Sequence, residues 1–280
     1  MFSPPKLPLV VYTDLDATLL DHDTYSYEAA LPSIQKLMSL DIPIIPVSSK
    51  TLPEIQTLAE KIGLNSPIIA ENGSAIATPR DYFVNSSTTE NRDDMNIQLT
   101  GKKYSTIVSC LNQIRTKHAF EFVGFSDLTD QEVADLTGLN LDDASQARQR
   151  EGSEPILWQG DEVSFKLFKK ELAIQSLTLT KGGRFYHVMG NCSKGLAVQK
   201  LNALFLKHNF LNFQTIALGD SENDVSMLKV VDIPVLVKRK DGAHLQEHEI
   251  KNITYTEEVG PAGWNKFILA YVSSAASNLS

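Results

Sequence analysis

Two aspartates separated by one residue stand directly after an apolar run near the start of the chain. The segment reads Asp14-Leu15-Asp16-Ala17-Thr18. In an extended stretch, residues i and i+2 point to the same side, so both carboxylates would crowd one region. Carboxylates held close together repel each other and need a proton or a cation. Magnesium prefers such hard oxygen ligands and leaves room for a phosphate, although Asp and Thr are also common in turns after strands.

A second acidic cluster, Gly219-Asp220-Ser221-Glu222-Asn223-Asp224, follows the apolar run that ends at Leu218. Asp220 and Asp224 lie one helical turn apart if a helix begins near Ser221. A helix N-terminus would explain Asp224 by itself, because the helix dipole favours carboxylates there. That explanation is much weaker for two acidic clusters after two apolar runs.

One lysine and one serine add a cation and a hydroxyl. Lys194 and Gly195 open a predicted helix, where the ammonium group would neutralise a phosphate beside a metal. Ser48 stands at the end of another apolar run. Taken singly, Lys194 is typical of a solvated surface, and Ser48 is typical of a residue that caps a turn.

Alternating strand and helix patterns position these residues. The predicted strands are Leu7–Thr13, Ile42–Val47, Pro67–Ala70, Thr215–Leu218 and Pro234–Val237. The first predicted helix covers Ser26–Leu40, and a second begins at the capping box of Thr51 and Glu54 and stops at Gly63. Such alternation predicts a parallel sheet with right-handed crossovers. Open sheets of this kind place their functional sites at the carboxyl ends of the strands, where the aspartates lie.

The character of the chain changes between about Tyr82 and Lys181. Residues Asn85–Asn96 are rich in Ser, Thr, Asn and Asp, which favours a linker or turn. Amphipathic helices are predicted at Tyr104–Thr116 and Asp130–Leu136, and short strands at Glu121–Phe125 and Val163–Phe168. We therefore expect residues 83–182 to form an α+β domain inserted into an α/β core made of residues 1–82 and 183–280.

Bulk composition limits the classes of partner. The 280 residues carry a formal net charge of −8, which argues against a broad nucleic-acid or anionic-membrane surface. No segment approaches the roughly 20 apolar residues that span a bilayer. Cys110 and Cys192 lie far apart without metal-type spacing. One disulfide and two free thiols are the alternatives, and free thiols in a reducing compartment are expected. A cytoplasmic enzyme with a small-molecule substrate agrees with these features, whereas the oligomeric state stays open.

Together, these features resemble the haloacid dehalogenase superfamily of phosphotransferases. Its motifs D-x-D-x-[TV], a strand-end Ser or Thr, a Lys and a late acidic pair such as G-D-x-x-N-D occur here in that order. The resemblance implies a Rossmann-like core in which Asp14 attacks phosphorus, while Asp16 protonates the leaving group and then activates water. It implies that Ser48 and Lys194 hold the phosphoryl oxygens. The implied Mg²⁺ ligands are Asp14, the main-chain carbonyl of Asp16 and Asp220, supported by Asn223 and Asp224.

A narrower resemblance, to mannosyl-3-phosphoglycerate phosphatases, covers nearly the whole chain. It is carried by Asp21-His22-Asp23-Thr24-Tyr25, Ser49-Lys50-Thr51, Ala70-Glu71-Asn72-Gly73, Gly182-Gly183-Arg184-Phe185-Tyr186-His187 and Gly260-Pro261-Ala262-Gly263-Trp264. This family has an inserted cap of the C2B type and releases phosphate from mannosyl-3-phosphoglycerate to make mannosylglycerate, a compatible solute. Some members also accept the glucosyl analogue. The resemblance implies substrate contacts from Ser49, Lys50, Glu71, Asn72, Arg184 and His187.

Several of these segments also have purely structural interpretations. Glu71-Asn72-Gly73 is a good turn, Gly182-Gly183 would serve as a hinge between cap and core, and Trp264 favours packing over contact with sugar. Arg184 is the strongest candidate for a substrate-binding residue, because a guanidinium suits bidentate binding of the glycerate carboxylate. The sequence departs from the family pattern at two positions, where Ala17 replaces Gly and Glu222 adds a negative charge. These departures remove no catalytic atom, but they make the substrate specificity less certain than the catalytic activity.

Two other functions remain open from the sequence. One is a related sugar-phosphate phosphatase that acts on glucosyl-3-phosphoglycerate or a sucrose-type phosphate. The other is a non-hydrolytic phospho-acceptor or ligand-binding module, as in receiver domains. Asp16 argues against the second, because hydrolysis needs an acid/base at that position and signalling does not.

Overall fold

The computed structural model describes residues 8–83, 90–92, 94–182, 184–208, 210, 212–246 and 249–277. The helices are α1 Leu31–Ser39, α2 Leu52–Ile62, α3 Tyr104–His118, α4 Asp130–Thr137, α5 Leu141–Arg148, α6 Glu162–Ile174, α7 Lys194–Lys207, α8 Val225–Leu228 and α9 Gly260–Ser277. The strands are β1 Leu9–Thr13, β2 Ile44–Pro46, β3 Ile68–Ala70, β4 Ala75–Pro79, β5 Glu90–Arg92, β6 Met95–Leu99, β7 Phe122–Gly124, β8 Ser153–Trp158, β9 Thr178–Gly182, β10 Phe185–Met189, β11 Gln214–Gly219, β12 Ile233–Lys238 and β13 Thr254–Val259. None of the helices in these ranges has both the length and the apolar character needed to cross a membrane.

A five-stranded parallel sheet forms the centre of the core, in the order β13-β12-β11-β1-β2. All five residues of β1 are buried, because helices cover both faces of the sheet. Leu9 and Val11 point into a cluster with α1, α2 and α9, whereas Val10 and Tyr12 point into a cluster with α7 and α8. Successive residues of β1 are therefore buried on alternate faces of the sheet along the whole strand. Burial on both faces is typical of the continuous apolar strands of parallel sheets.

Helix α2 begins and ends where its sequence signals predict. The side chain of Glu54 accepts a hydrogen bond from Thr51 N at 2.8 Å, and Thr51 Oγ1 accepts one from Glu54 N at 3.4 Å. Gly63 ends the helix with φ +82°, a left-handed conformation that glycine adopts without steric cost. The helix therefore returns the chain from β2 to β3 as a crossover connection.

A second sheet extends the core beyond β2, in the order β3-β4-β6-β5. A parallel bridge between Val47 and Ile69 joins it to the central sheet, and Met95 and Ile97 pack in the same cluster as β1. The linker or turn predicted at Asn85–Asn96 is wrong for β5 and for the start of β6, whereas Asp94 between these strands is a turn residue. Residues Asn85–Thr89 and Asp93 lie outside the described residues. The polar composition indicates a turn locally, but β4 supplies a strand edge with which this segment pairs.

The inserted α+β cap is built on an antiparallel sheet in the order β7-β8-β10-β9. Helices α3 and α6 bury Ile107, Leu111 and Phe168 against one face, and α4 and α5 pack with Phe125 in a smaller cluster. The predicted strand at Val163–Phe168 is wrong, because these residues belong to α6. Asp161 caps that helix by accepting from Ser164 N at 2.7 Å. Val163 and Leu167 are exposed on the helix, whereas Phe168 is buried.

The domain limits expected at residues 83 and 182 stay predictions. Gly182 pairs with Phe185 across the β9–β10 hairpin, so it forms part of the cap sheet and is not a hinge; Gly183 lies outside the described residues. Because β6 packs with the core and β10 pairs within the cap, we propose that the cap covers residues 100–190. The packing supports an α/β core with one inserted α+β cap.

Candidate active site

The carboxyl ends of β1 and β11 bring the two acidic clusters together. These strands are parallel neighbours with Thr13 opposite Leu218, and the amide of Asp14 donates to the Leu218 carbonyl at 2.9 Å. The residues that follow the two strands therefore lie side by side. Trp264 supports this edge from α9, because its indole nitrogen donates to Thr13 Oγ1 at 3.0 Å. It is fully buried, as the packing interpretation of Trp264 expects.

Three carboxylates meet at this edge of the sheet. One oxygen from each of Asp14, Asp220 and Asp224 lies within 4.8 Å of the others, and all three residues are buried. Asp224 is engaged on both oxygens: Oδ2 accepts from the amides of Asp220 and Ser221 at 3.1 Å, and Oδ1 accepts from a lysine. Asp224 therefore organises the loop after β11, which agrees with the supporting position predicted for it.

That lysine is Lys194, which is buried at the first position of α7. Its Nζ lies 2.6 Å from Oδ1 of Asp14 and 2.6 Å from Oδ1 of Asp224. Gly195 allows this approach, since a Cβ there would lie 2.1 Å from the carbonyl oxygen of Ser226. The alternative of a solvated surface lysine is therefore excluded.

The charges in this cluster do not balance. Burial, followed by the negative charge of Asp224, raises the pKa of Asp14 well above its usual value, and the same two causes raise the pKa of Asp220 to about 7. Burial alone would lower the pKa of Lys194, but Asp14 and Asp224 outweigh it and raise that pKa. Three buried carboxylates against one ammonium group leave excess negative charge, so this oxygen donor set suits a hard divalent cation.

The carboxylate of Asp16 lies outside this cluster and faces the space between core and cap. It is 44% exposed and forms an ion pair of 3.2 Å with Lys50. Burial alone would lower the pKa of Lys50, but the negative charges of Asp16 and Glu54 together outweigh burial and raise that pKa. The two aspartates of the first motif thus occupy different environments, one buried among carboxylates and one open to a ligand.

Ser48 and Asn72 lie beside the cluster on the core side. Ser48 is buried after β2, and its carbonyl accepts from the amide of Asn72 at 2.8 Å. Asn223 donates to Asn72 Oδ1 at 3.0 Å, which links the loop after β11 to the loop after β3. Within the described residues, Asn72 Nδ2 is buried without a hydrogen-bond acceptor, so one donor is left for a ligand.

Glu71 does not point into the same space. Its carboxylate accepts from the amides of Glu151 and Gly152 at 2.7 and 3.1 Å and from Ser153 Oγ at 2.7 Å. All three partners belong to the cap. These contacts argue against the substrate contact predicted for Glu71 and place its carboxylate at the junction of core and cap, which sequence reasoning could not locate without knowing the cap's position.

A cavity of about 260 Å³ lies between core and cap. Its core side includes Asp16, Ser49 and Lys50, and its cap side includes Arg150, Arg184 and His187. Burial, assisted by the charge of Arg150, lowers the pKa of His187 to about 3, so the imidazole is neutral. His187 Nδ1 is buried without a hydrogen-bond partner in the described part of the chain.

The two arginines of the cavity differ in exposure. Arg184 is exposed and donates from Nη1 to the carbonyl of Leu136. Arg150 is half-buried between cap and core, and sequence reasoning missed it. Its only local signal is the basic stretch Arg148-Gln149-Arg150, which is typical of a solvated surface.

An α/β core with paired strand-end aspartates, a buried lysine and an inserted cap defines a hydrolase of the haloacid dehalogenase type. Residues 11–247 match the family of haloacid dehalogenase-like hydrolases. The chain belongs to this family, as the sequence motifs predict.

Curated relatives extend the match to nearly the full chain. A protein of Methanococcoides burtonii is 38% identical over 261 residues, which are 93% of this chain and 96% of the relative. A protein of Persephonella marina is 34% identical over the same shares of both chains. Both are named glucosyl-3-phosphoglycerate/mannosyl-3-phosphoglycerate phosphatase. The predictions of family and of the phosphatase class of enzyme are confirmed.

Solved structures support the fold. A Thermoplasma acidophilum protein has a TM-score of 0.68 at 17% identity, and the match covers 95% of this chain and 99% of the Thermoplasma chain. A haloalkanoate-superfamily phosphatase of Bacteroides thetaiotaomicron has a TM-score of 0.65 at 15% identity, with 95% and 96% of the two chains covered. The predicted haloacid dehalogenase fold, a Rossmann-like core with an inserted C2B-type cap, is confirmed.

Proposed function

We propose that this chain is a magnesium-dependent phosphatase that converts mannosyl-3-phosphoglycerate to mannosylglycerate through an aspartyl-phosphate. The observation that carries this proposal is the buried cluster of Asp14, Lys194 and Asp220 at the carboxyl ends of the parallel strands β1 and β11. Relatives that align with 93% of the chain are named for the mannosyl and glucosyl substrates, so the glucosyl analogue is the second candidate substrate.

Asp14 is the proposed nucleophile. Its Oδ1 is paired with Lys194, which leaves the second oxygen to attack phosphorus, and a carboxylate nucleophile divides hydrolysis into two easier displacements. The bond from phosphorus to the glycerate oxygen breaks as the bond to Asp14 forms. Water then attacks the aspartyl-phosphate, which releases phosphate and restores the carboxylate.

Asp16 is the proposed acid/base, because it is the aspartate that faces the cleft. It donates a proton to the leaving glycerate oxygen and later accepts one from the attacking water. Ser48 and Lys194 would hold the phosphoryl oxygens, where preorganised donors and cations stabilise the charge of the transition state.

Asp14, the main-chain carbonyl of Asp16 and Asp220 would hold Mg²⁺, with Asn223 and Asp224 as supporting residues. A bound Mg²⁺ supplies charge neutralisation for the phosphoryl group. The contacts proposed for the rest of the substrate come from Ser49, Lys50, Asn72, Arg184 and His187. Since Cys110 and Cys192 are free thiols, a reducing cytoplasmic setting agrees with this proposal.

Steady-state kinetics test the proposal directly. We expect phosphate release from mannosyl- and glucosyl-3-phosphoglycerate, loss of turnover with a chelator and recovery with Mg²⁺. Higher kcat/KM for sucrose 6-phosphate than for both phosphoglycerates would assign the alternative substrate class. A phosphorylated protein without turnover would instead assign the non-hydrolytic phospho-acceptor module.

A further inference from the structure

Arg150 occupies the short connection between α5 and β8, where the cap meets the core. Its Nε donates to the carbonyl of Ala147 at 2.9 Å within the cap. Its Nη1 donates across the junction to the carbonyl of Ser49, and to Ser153 Oγ, both at 3.2 Å. Ser49 directly follows Ser48, so this guanidinium is anchored one residue from a proposed phosphate-binding side chain.

Core contacts also fix the three residues that follow Arg150. The carboxylate of Glu71 holds the amides of Glu151 and Gly152 and the hydroxyl of Ser153. Ser153 Oγ at the same time accepts from Arg150. Glu71 is therefore a positioning residue for Arg150, and the guanidinium has a defined place although it lies on a connecting segment.

In the part of the chain that the structure describes, Arg150 forms no salt bridge. Within the described ranges, no carboxylate lies within 4.0 Å of its guanidinium nitrogens. Lys50, the cation across the cleft, is paired with Asp16. The guanidinium of Arg150 lines the cavity, and its bonded groups are Nε and Nη1, which leaves Nη2 for a ligand.

We propose that Arg150 binds a carboxylate on the substrate and thereby selects phosphomonoesters that carry a second negative group. This inference rests on the proposed function and names the residue that recognises the glycerate end. Arg150 suits this task better than Arg184, because Arg150 is half-buried and held in place by three hydrogen bonds, whereas Arg184 is exposed and held by one. One edge of this planar guanidinium is already fixed by hydrogen bonds to the protein. The opposite edge can therefore bind an acceptor with little further loss of conformational freedom.

The test compares mannosyl-3-phosphoglycerate with its carboxamide analogue, which has the same shape and no carboxylate charge. In the full-length protein with Mg²⁺, we expect kcat/KM for the carboxylate to exceed that for the amide by about 10- to 150-fold, the range of one charge-assisted hydrogen bond. In Arg150→Gln this ratio should fall to about 1, mainly through KM, and Arg150→Lys should give an intermediate ratio. Arg115→Gln, which removes a cap arginine paired with Asp127, should keep the wild-type ratio.

Each other outcome overturns the inference in a distinguishable way. A wild-type ratio near 1 removes carboxylate selection while leaving phosphatase activity intact. If Arg150→Gln lowers kcat/KM equally for the carboxylate and the amide, Arg150 serves the structure or phosphate binding and does not select the carboxylate. A ratio abolished by Arg184→Gln and kept by Arg150→Gln moves the carboxylate site to Arg184. Failure of wild type to hydrolyse either compound overturns the proposed function and this inference together.

Discussion

The ammonium nitrogen of Lys194 lies 2.6 Å from Oδ1 of Asp14, although 180 positions separate the two residues in the chain. Both groups are buried, and Asp224 accepts from the same nitrogen. The lysine thus neutralises part of a carboxylate cluster, and in the proposed function the same cation holds a phosphoryl oxygen. We therefore expect stability and phosphatase activity to be coupled at this position.

Removal of the lysine charge should therefore affect both properties. Lys194→Met leaves two buried carboxylates without their cation, and we expect a loss of about 3–5 kcal/mol in the free energy of unfolding together with loss of phosphatase activity. Urea denaturation and phosphate release measure these effects. Lys200→Met, at an exposed position of the same helix, should change stability by less than about 0.5 kcal/mol. Equal effects of both substitutions would contradict the buried ion cluster.

Substitution of the two aspartates of the first motif should affect the reaction at different steps. Asp14→Asn removes the attacking oxygen, so activity should fall by several orders of magnitude without a phosphorylated protein. Asp16→Asn should also be severe, but it keeps the nucleophile and is expected to accumulate phosphoenzyme detectable by mass spectrometry. Asp135→Asn, at an exposed position in the cap, is the control and should retain activity. Near-normal turnover by Asp14→Asn would falsify the nucleophile assignment.

Asp220 predicts an unusual dependence of stability on pH. Its folded pKa of about 7 exceeds the ordinary aspartate value of about 4. The folded state therefore binds this proton more tightly, and the free energy of unfolding should fall as pH rises from about 4 to about 7. Denaturant midpoints in chelator at pH 5 and pH 8 measure this decline.

Asp220→Asn should reduce that decline, whereas Asp142→Asn, at an exposed position on α5, should not. Added Mg²⁺ should raise the wild-type midpoint, since a ligand that binds only the folded state stabilises it, and Asp220→Asn should lose this response. A Mg²⁺ response that persists in Asp220→Asn would place the cation elsewhere.

Ala17 adopts a left-handed backbone conformation with φ +58°. This region costs an L-residue roughly 1–2 kcal/mol, whereas glycine enters it freely. Ala17→Gly should therefore raise the free energy of unfolding by about 1 kcal/mol, measured by urea denaturation. Ala203→Gly, at an exposed site inside α7, should lower it by about 1 kcal/mol. If both variants are equally destabilised, the backbone at Ala17 is not strained.

The sequence by itself determined the core strands β1, β2, β3, β11 and β12 and the residues at their carboxyl ends. Apolar runs, the capping box of Thr51 and Glu54 and the stop at Gly63 are local signals, because they depend on neighbouring residues and on periodicity. They predict that Asp14 and Asp220 end parallel strands, and the order β11-β1-β2 agrees. The same local rules misplace Val163–Phe168, because an alternating apolar pattern also occurs on a helix that is only partly buried.

Only the tertiary structure decided what the remaining polar groups do. Glu71 binds the cap and is absent from the buried carboxylate cluster, Arg150 donates from the cap to the core, and Lys194 is buried. None of these partners is near in sequence, so no periodicity or spacing reveals them. They are set by how the cap sheet and the helices pack on the central sheet, since burial removes water and leaves each charged group dependent on the partner that packing brings to it.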